Sequence, residues 1–152
     1  MYRDATLEDV EKILVCIIEF WEDRNHHDYE ISAVKDFLIT TIKREYRYIS
    51  IYEENGNILG GQISTIHKHP FSSEKYLSEE IWFTSPRSSR FKRLKIAYGV
   101  LKGINKYMKE YNLKRMVNHI HSTDGSEGCP AANKLLQKMG YQLLYKQYVK
   151  EI

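Results

Sequence analysis

Apolar side chains return every three or four residues between Val10 and Trp21 (Val10, Ile13, Leu14, Ile17, Ile18, Trp21). That spacing predicts one face of a helix ending near Asp23. Thr6 reads as its N-cap, with Asp9 in the place of a capping acid. A polar loop, Arg24 to Asp28, leads to a second helical pattern over 31–44, with Ser32 as a cap and Val34, Phe37, Leu38 and Ile42 inward. The period then switches to two. Tyr48 to Tyr52 reads as a strand, Asn55-Gly56 as a hairpin turn, and 58–67 as the returning strand. Gly60 and Gly61 inside that strand predict a bulge or a close backbone approach.

Residues 71–78 read as a loop, and Ile81-Trp82-Phe83-Thr84 as a short half-buried strand. It breaks at Ser85-Pro86, because proline removes a donor and disfavours helix before it. After a polar turn, 90–109 form a long helix whose apolar positions are Leu94, Ala97, Tyr98, Leu101, Ile104, Tyr107 and Met108. Residues 115–121 alternate as a strand, and 122–129 are a Ser/Gly/Asp loop. Pro130 opens a short helix over 131–139, capped by Gly140, and a last strand runs from Tyr141 or Leu144 to Val149. The order is β-α-α-β-β-β-α-β-α-β, an α+β layout with a hairpin ahead of a βαβ unit.

At 152 residues the chain is expected to form one domain over 1–152, large enough to bury its own core. The net charge of +3 is too small to argue for a polyanionic partner. Its distribution says more. Arg87, Arg90, Lys92, Arg93, Lys95, Lys102, Lys106, Lys109, Lys114 and Arg115 stand against a single acid, Glu110. A strand, a basic turn and a helix opening at that turn form a generic anion site, since the first amides of a helix lack intrahelical acceptors. The same pattern also describes an amphipathic helix with a solvated basic face, and the sequence leaves both readings open. Cys16 and Cys129 have no metal spacing. His26-His27 do not converge on one helix face and lack a Cys or acidic partner at ligand spacing, so no metal is expected. With no secretory segment and no long apolar run, a cytoplasmic protein without a membrane partner is expected.

Several stretches together resemble the GCN5-related N-acetyltransferases (GNAT), in particular small GNAT-like proteins of phage genomes. Arg3-Asp4-Ala5-Thr6-Leu7-Glu8-Asp9 is similar to the opening strand-to-helix turn of that family. Asn55-Gly56-Asn57-Ile58-Leu59-Gly60-Gly61 is similar to the hairpin between its second and third strands, and Glu80 to Pro86 to its fourth strand. Asn133 to Tyr141 and Tyr148-Val149-Lys150 are similar to its last helix and closing strand. The resemblance covers most of the chain and implies a GNAT-like α+β fold. It also implies acetyl transfer from acetyl-CoA to a primary amine by direct transfer in a ternary complex.

On that resemblance the turn after the fourth strand would cradle the pyrophosphate through Arg87, Ser88, Ser89, Arg90, Phe91, Lys92 and Arg93. Backbone groups around Phe83 and Ser85 would face the pantetheine, and Asn133 would touch the cofactor. Here the turn contains no glycine, so serine hydroxyls and cations would have to serve. Glu80 or Glu79 would be the base, with His121 as an alternative because an unperturbed histidine titrates near neutrality. The position of the usual acidic tyrosine holds Leu136.

A rival keeps the fold without catalysis and uses the basic helix to engage a protein or nucleic acid, and a component of a phage-like particle is a third reading. The acceptor amine is not specified, and a tyrosine-rich final strand could form a homodimer edge.

Overall fold

The computed structural model describes residues 1–118 and 130–142. Contacts divide the chain into two compact units, Met1–His119 and Ile120–Ile152. The first unit is built from β1 (Tyr2–Asp4), a 3-10 turn (Leu7–Asp9), α1 (Val10–Glu22), α2 (Ile31–Ile42), β2 (Arg47–Glu54), β3 (Asn57–Lys68), β4 (Lys75–Thr84), α3 (Arg90–Glu110) and β5 (Arg115–Val117). The sheet order is β1-β2-β3-β4-β5, antiparallel except for the β4–β5 pair. Of the second unit, α4 (Pro130–Lys138) and its cap are described. Gly140 takes φ +86 and sends its N–H to Gln137, while the Tyr141 N–H reaches Leu136 at 3.0 Å. This is a Schellman ending, and the positive φ is why glycine stands there. His121, Cys129 and the expected strand over 144–149 lie outside the described residues.

Two apolar layers hold the first unit. On one sheet face Ile13, Leu14 and Ile17 of α1 and Val34 and Leu38 of α2 bury Ile49, Ile51, Ile63 and Phe83. On the other, Ile96, Val100, Ile104 and Tyr107 of α3 cover Leu77, Tyr48, Ile66 and Met116.

Strand parity alone does not predict these faces, because two bulges reset it. Leu59 is the extra residue where Tyr52 pairs Gly60 and Glu53 pairs Ile58. Glu80 is the extra residue where Ile63 pairs Ile81 and Ser64 pairs Glu79. A one-residue insertion sends later side chains to the opposite face. Leu77 therefore packs under α3, whereas Phe83, of the same parity, packs under α1.

Three expectations change. β4 begins at Lys75, so the second half of the expected loop is strand, held by pairing with β3 from Lys68 back to Thr65. On α3 the buried stripe includes Ile96 and Val100, while Tyr98 is 48% exposed. The stripe is rotated because β2 and β3, not the helix itself, select the buried arc. Helix α2 is capped from Glu30, not Ser32, since Tyr29 is already pinned against Trp21, ring centroids 5.3 Å apart.

The chain entry is locked by charge. Arg3 donates to both Asp9 oxygens at 2.7 and 2.8 Å, and also to Glu53. Asp9 also accepts from the Thr6 N–H at 2.8 Å. The Arg3 hydrogen bonds, opposed by burial, hold the Asp9 carboxyl down at about 2. A depressed carboxylate stabilises the fold above its unfolded value, near 4, and that contribution is lost as pH falls toward the folded value. It amounts to about 2 kcal/mol. Urea titrations should therefore show the gap between wild type and Asp9→Asn closing between pH 5 and pH 2. A gap unchanged over that range would contradict the assignment.

Candidate active site

β4 is the strand that leads to the basic turn. β5 pairs only with Tyr76, Leu77 and Ser78. From Glu80 to Thr84 the outer edge of β4 has no strand partner among the described residues, while the inner edge stays paired with β3.

That edge runs into the basic turn. Ser85 is buried and its N–H goes to Leu59 at 2.8 Å. Ser88 is buried, with its N–H on Ser85. Ser89 caps α3, its hydroxyl accepting from the Lys92 N–H at 3.3 Å, which leaves the amides of Arg90 and Phe91 without an acceptor one turn back. Arg93 points back into the turn and donates to Pro86 O at 2.7 Å and Ser88 O at 2.9 Å. By holding these carbonyls it braces the backbone from within. Residues 85–90 contain no positive φ, so the backbone conformation requires no glycine there.

The cations of the turn are not equivalent. Arg87 pairs with Glu19 of α1, Lys92 with Glu54 of β2, and Arg93 with Asp23 at 3.7 Å. Arg90 has no ion-pair partner among the described residues. Phe91 is 87% exposed, whereas the Phe83 side chain is fully buried, so Phe83 can offer only its backbone to a ligand.

The two β4 glutamates lie on opposite faces. Glu79 is buried, opposite Ser64, on the α3 side of the sheet. Beside it Gln62, with 0% exposure, donates to Ser64 Oγ at 3.0 Å and to Asn118 Oδ1 at 3.3 Å. Gln62 Oε1, Asn118 Nδ2 and Trp82 Nε1 are buried without a hydrogen-bond partner among the described residues. Such groups cost free energy unless something polar meets them.

Glu80 is accessible, its side chain 39% exposed and 3.5 Å from His67 Nε2. Because the bulge turns Glu80 and Ile81 the same way, both line a cavity of about 390 Å³ with Trp21, Tyr29, Glu30, Ala33, Val34 and Phe37. That volume is in the range of small-molecule pockets, about 300–1,000 Å³.

Asn133 is half-buried on α4 and Leu136 is buried there. His67, Gln62 and Asn118 escape a linear reading. The signal for His67 was the β3–β4 register, which sets it opposite Tyr76 and which is hidden when 75–78 is read as loop. Among the described residues no group of three or more His, Cys, Asp or Glu side chains is gathered to hold a metal, and no helix is long and apolar enough to cross a membrane.

Neither a family model nor a curated protein sequence matches the chain. Solved structures do, over their whole length. A probable acetyltransferase is 18% identical, with 100% of this chain and 97% of that one covered, at a TM-score of 0.78. A transcriptional regulator from Bacillus halodurans C-125 is 13% identical over 100% and 99%, at 0.79. A predicted acetyltransferase with acetyl-CoA from Clostridium acetobutylicum is 16% identical over 99% and 95%, at 0.75. The chain has the GNAT fold. At these identities the likeness is one of fold, and fold alone does not carry an activity.

Proposed function

We propose that the protein is an N-acetyltransferase moving an acetyl group from acetyl-CoA to a primary amine. One observation carries this reading: β4 leads directly into a helix start that is lined with cations and braced by Arg93, with an acid-bearing cavity beside the same strand. The structural neighbour that holds acetyl-CoA supports the choice of donor. On this reading the amides of Arg90 and Phe91 and the charge of Arg90 hold the pyrophosphate. The β4 edge up to Thr84 binds the pantetheine amides and offers an N–H to the carbonyl oxygen as it becomes an oxyanion.

The amine occupies the cavity as its ammonium and gives one proton to Glu80. Its nitrogen then attacks the thioester carbonyl carbon, the C–N bond forms, the second nitrogen proton passes to solvent, the C–S bond breaks, and CoA leaves as the thiolate. That thiolate is a fair leaving group without help. Glu79, Ser64 and Gln62 form a polar backing for the strand, with Glu79 the alternative base.

Calorimetric titration of acetyl-CoA tests the donor half. Micromolar binding is expected, weakened about tenfold in Arg90→Ala through loss of one charge-assisted contact. Arg93→Met should weaken it at least as much although Arg93 faces inward, because Pro86 O and Ser88 O would be released. Absence of binding at millimolar acetyl-CoA would sink the reading.

A second reading rests on a separate observation. Lys95, Lys102, Lys106 and Lys109 are exposed on α3, have no ion-pair partner among the described residues, and flank the exposed Tyr98. Such a stripe suits a polyanion. Duplex DNA binding that falls steeply with salt and disappears in a Lys102→Gln/Lys106→Gln/Lys109→Gln variant would favour it. That variant should leave acetyl-CoA binding unchanged under the first reading.

A further inference from the structure

We infer that the cavity beside Glu80 takes a primary monoamine with a flat apolar or aromatic body, an arylalkylammonium. This rests on the acetyl-transfer reading for the amine's role as acceptor, and on the cavity alone for the choice of ligand.

Three rings supply the body of the site. Trp21 ends α1, Tyr29 stands in the connection with its ring 5.3 Å from that of Trp21, and Phe37 lies on α2. Ala33, Val34 and Ile81 complete walls that are mostly apolar. The Tyr29 hydroxyl already donates to Glu22 at 3.2 Å, so Tyr29 presents its ring rather than a free donor.

The charge in the cavity is negative. Glu30 and Glu80 are the charged residues among the described lining. Glu30 has no ion-pair partner among the described residues, and Glu80 meets only His67. Arg47 lies over the Phe37 ring, 5.1 Å from its centroid. Arg47 therefore disfavours a ligand cation over the Phe37 ring, and the cation is drawn toward Glu30 and Glu80, where the other aromatic faces add cation–π attraction. An ammonium–carboxylate pair flanked by apolar walls is also stronger than one in open water.

This arrangement fits one cation on an apolar stem. It does not fit a polyhydroxylated polycation, whose hydroxyls would lose water against Val34, Phe37 and Ile81 without gaining partners. The orientation also suits the chemistry. Glu80, which draws the ammonium, stands at the bulge of β4, the strand to which the acetyl-transfer reading assigns the thioester, so on that reading the amine nitrogen rather than the ring faces the thioester.

The test uses 2-phenylethylammonium and kanamycin on the full, isotopically labelled chain. The sequence contains two tryptophans, Trp21 and Trp82, so Trp82→Phe assigns the indole N–H signals. Phenylethylammonium should shift the Trp21 signal with sub-millimolar affinity and weaken at least tenfold in Glu80→Gln and in Glu30→Gln. With acetyl-CoA present its kcat/KM should exceed that of kanamycin at least a hundredfold. A Trp21 signal that stays still at millimolar phenylethylammonium, or a preference for kanamycin, would overturn the inference while leaving acetyl transfer intact. Binding at Trp21 without acetyl-CoA binding or turnover would uphold the ligand class and defeat the acetyltransferase reading instead.

Discussion

Glu80→Gln should lower kcat/KM for amine acetylation by about 10²- to 10⁴-fold, the usual contribution of a positioned general base. The substitution keeps the size and hydrogen bonding of the side chain, so the fold should survive with little change in urea midpoint. The loss should appear mostly in kcat for a ligand held chiefly by its ring, and in both constants where the ammonium–carboxylate pair also anchors the amine. Acetyl-CoA binding should remain, because the turn at Arg87 to Arg93 is built from other residues. Glu79→Gln supplies the comparison. Glu79 is buried on the opposite face beside Ser64, so its replacement should disturb stability more than turnover. If instead Glu80→Gln keeps full activity and Glu79→Gln loses it, the base belongs to the α3 side of the sheet, among Gln62, Trp82 and Asn118.

Gly61→Ala should destabilise the fold by about 3 kcal/mol, at the upper end of ordinary overpacking costs. A Cβ on Gly61 would lie 2.6 Å from Ser50 O and 2.8 Å from Phe83 Cζ. The first of these is strand backbone in β2, directly inside the sheet, and cannot swing away. Gly61→Ala with Phe83→Leu should recover only part of the loss, since it relieves the ring but not the carbonyl. The function should suffer too, because Phe83 occupies the strand that carries the proposed site. Equilibrium urea unfolding of the single and double variants measures both effects. A Gly61→Ala protein as stable as wild type would show that β2 and β3 are not held at this separation.

Much of the frame was legible because it is written in short-range chemistry. The Val10–Trp21 stripe, the Asn55-Gly56 turn, the Pro86 break and the Gly140 cap each depend on neighbours within one or two turns of chain. Gly60 and Gly61 also announced a real constraint, a bulge at Leu59 and a close approach to β2 and Phe83. The basic turn was legible as charge, but not as architecture. Nothing in Arg87 to Arg93 distinguishes the cations tied to Glu19, Glu54 and Asp23 from Arg90, or marks Arg93 as the residue that holds the turn's carbonyls.

By itself, then, the sequence determined the element order from β1 to α4, the extents of α1, α3 and α4, and the α+β class, because periodicity, capping and turn propensity act locally. Tertiary structure alone decided the faces of the two glutamates, the partnership of His67 with Glu80, and the assembly of Trp21, Tyr29, Phe37 and Ile81 into one cavity. The physical reason is the bulge at Glu80. A single extra residue, defined only by pairing with β3, sends each later β4 side chain to the opposite side of the sheet. Such a register belongs to two strands at once and is not a property of either alone.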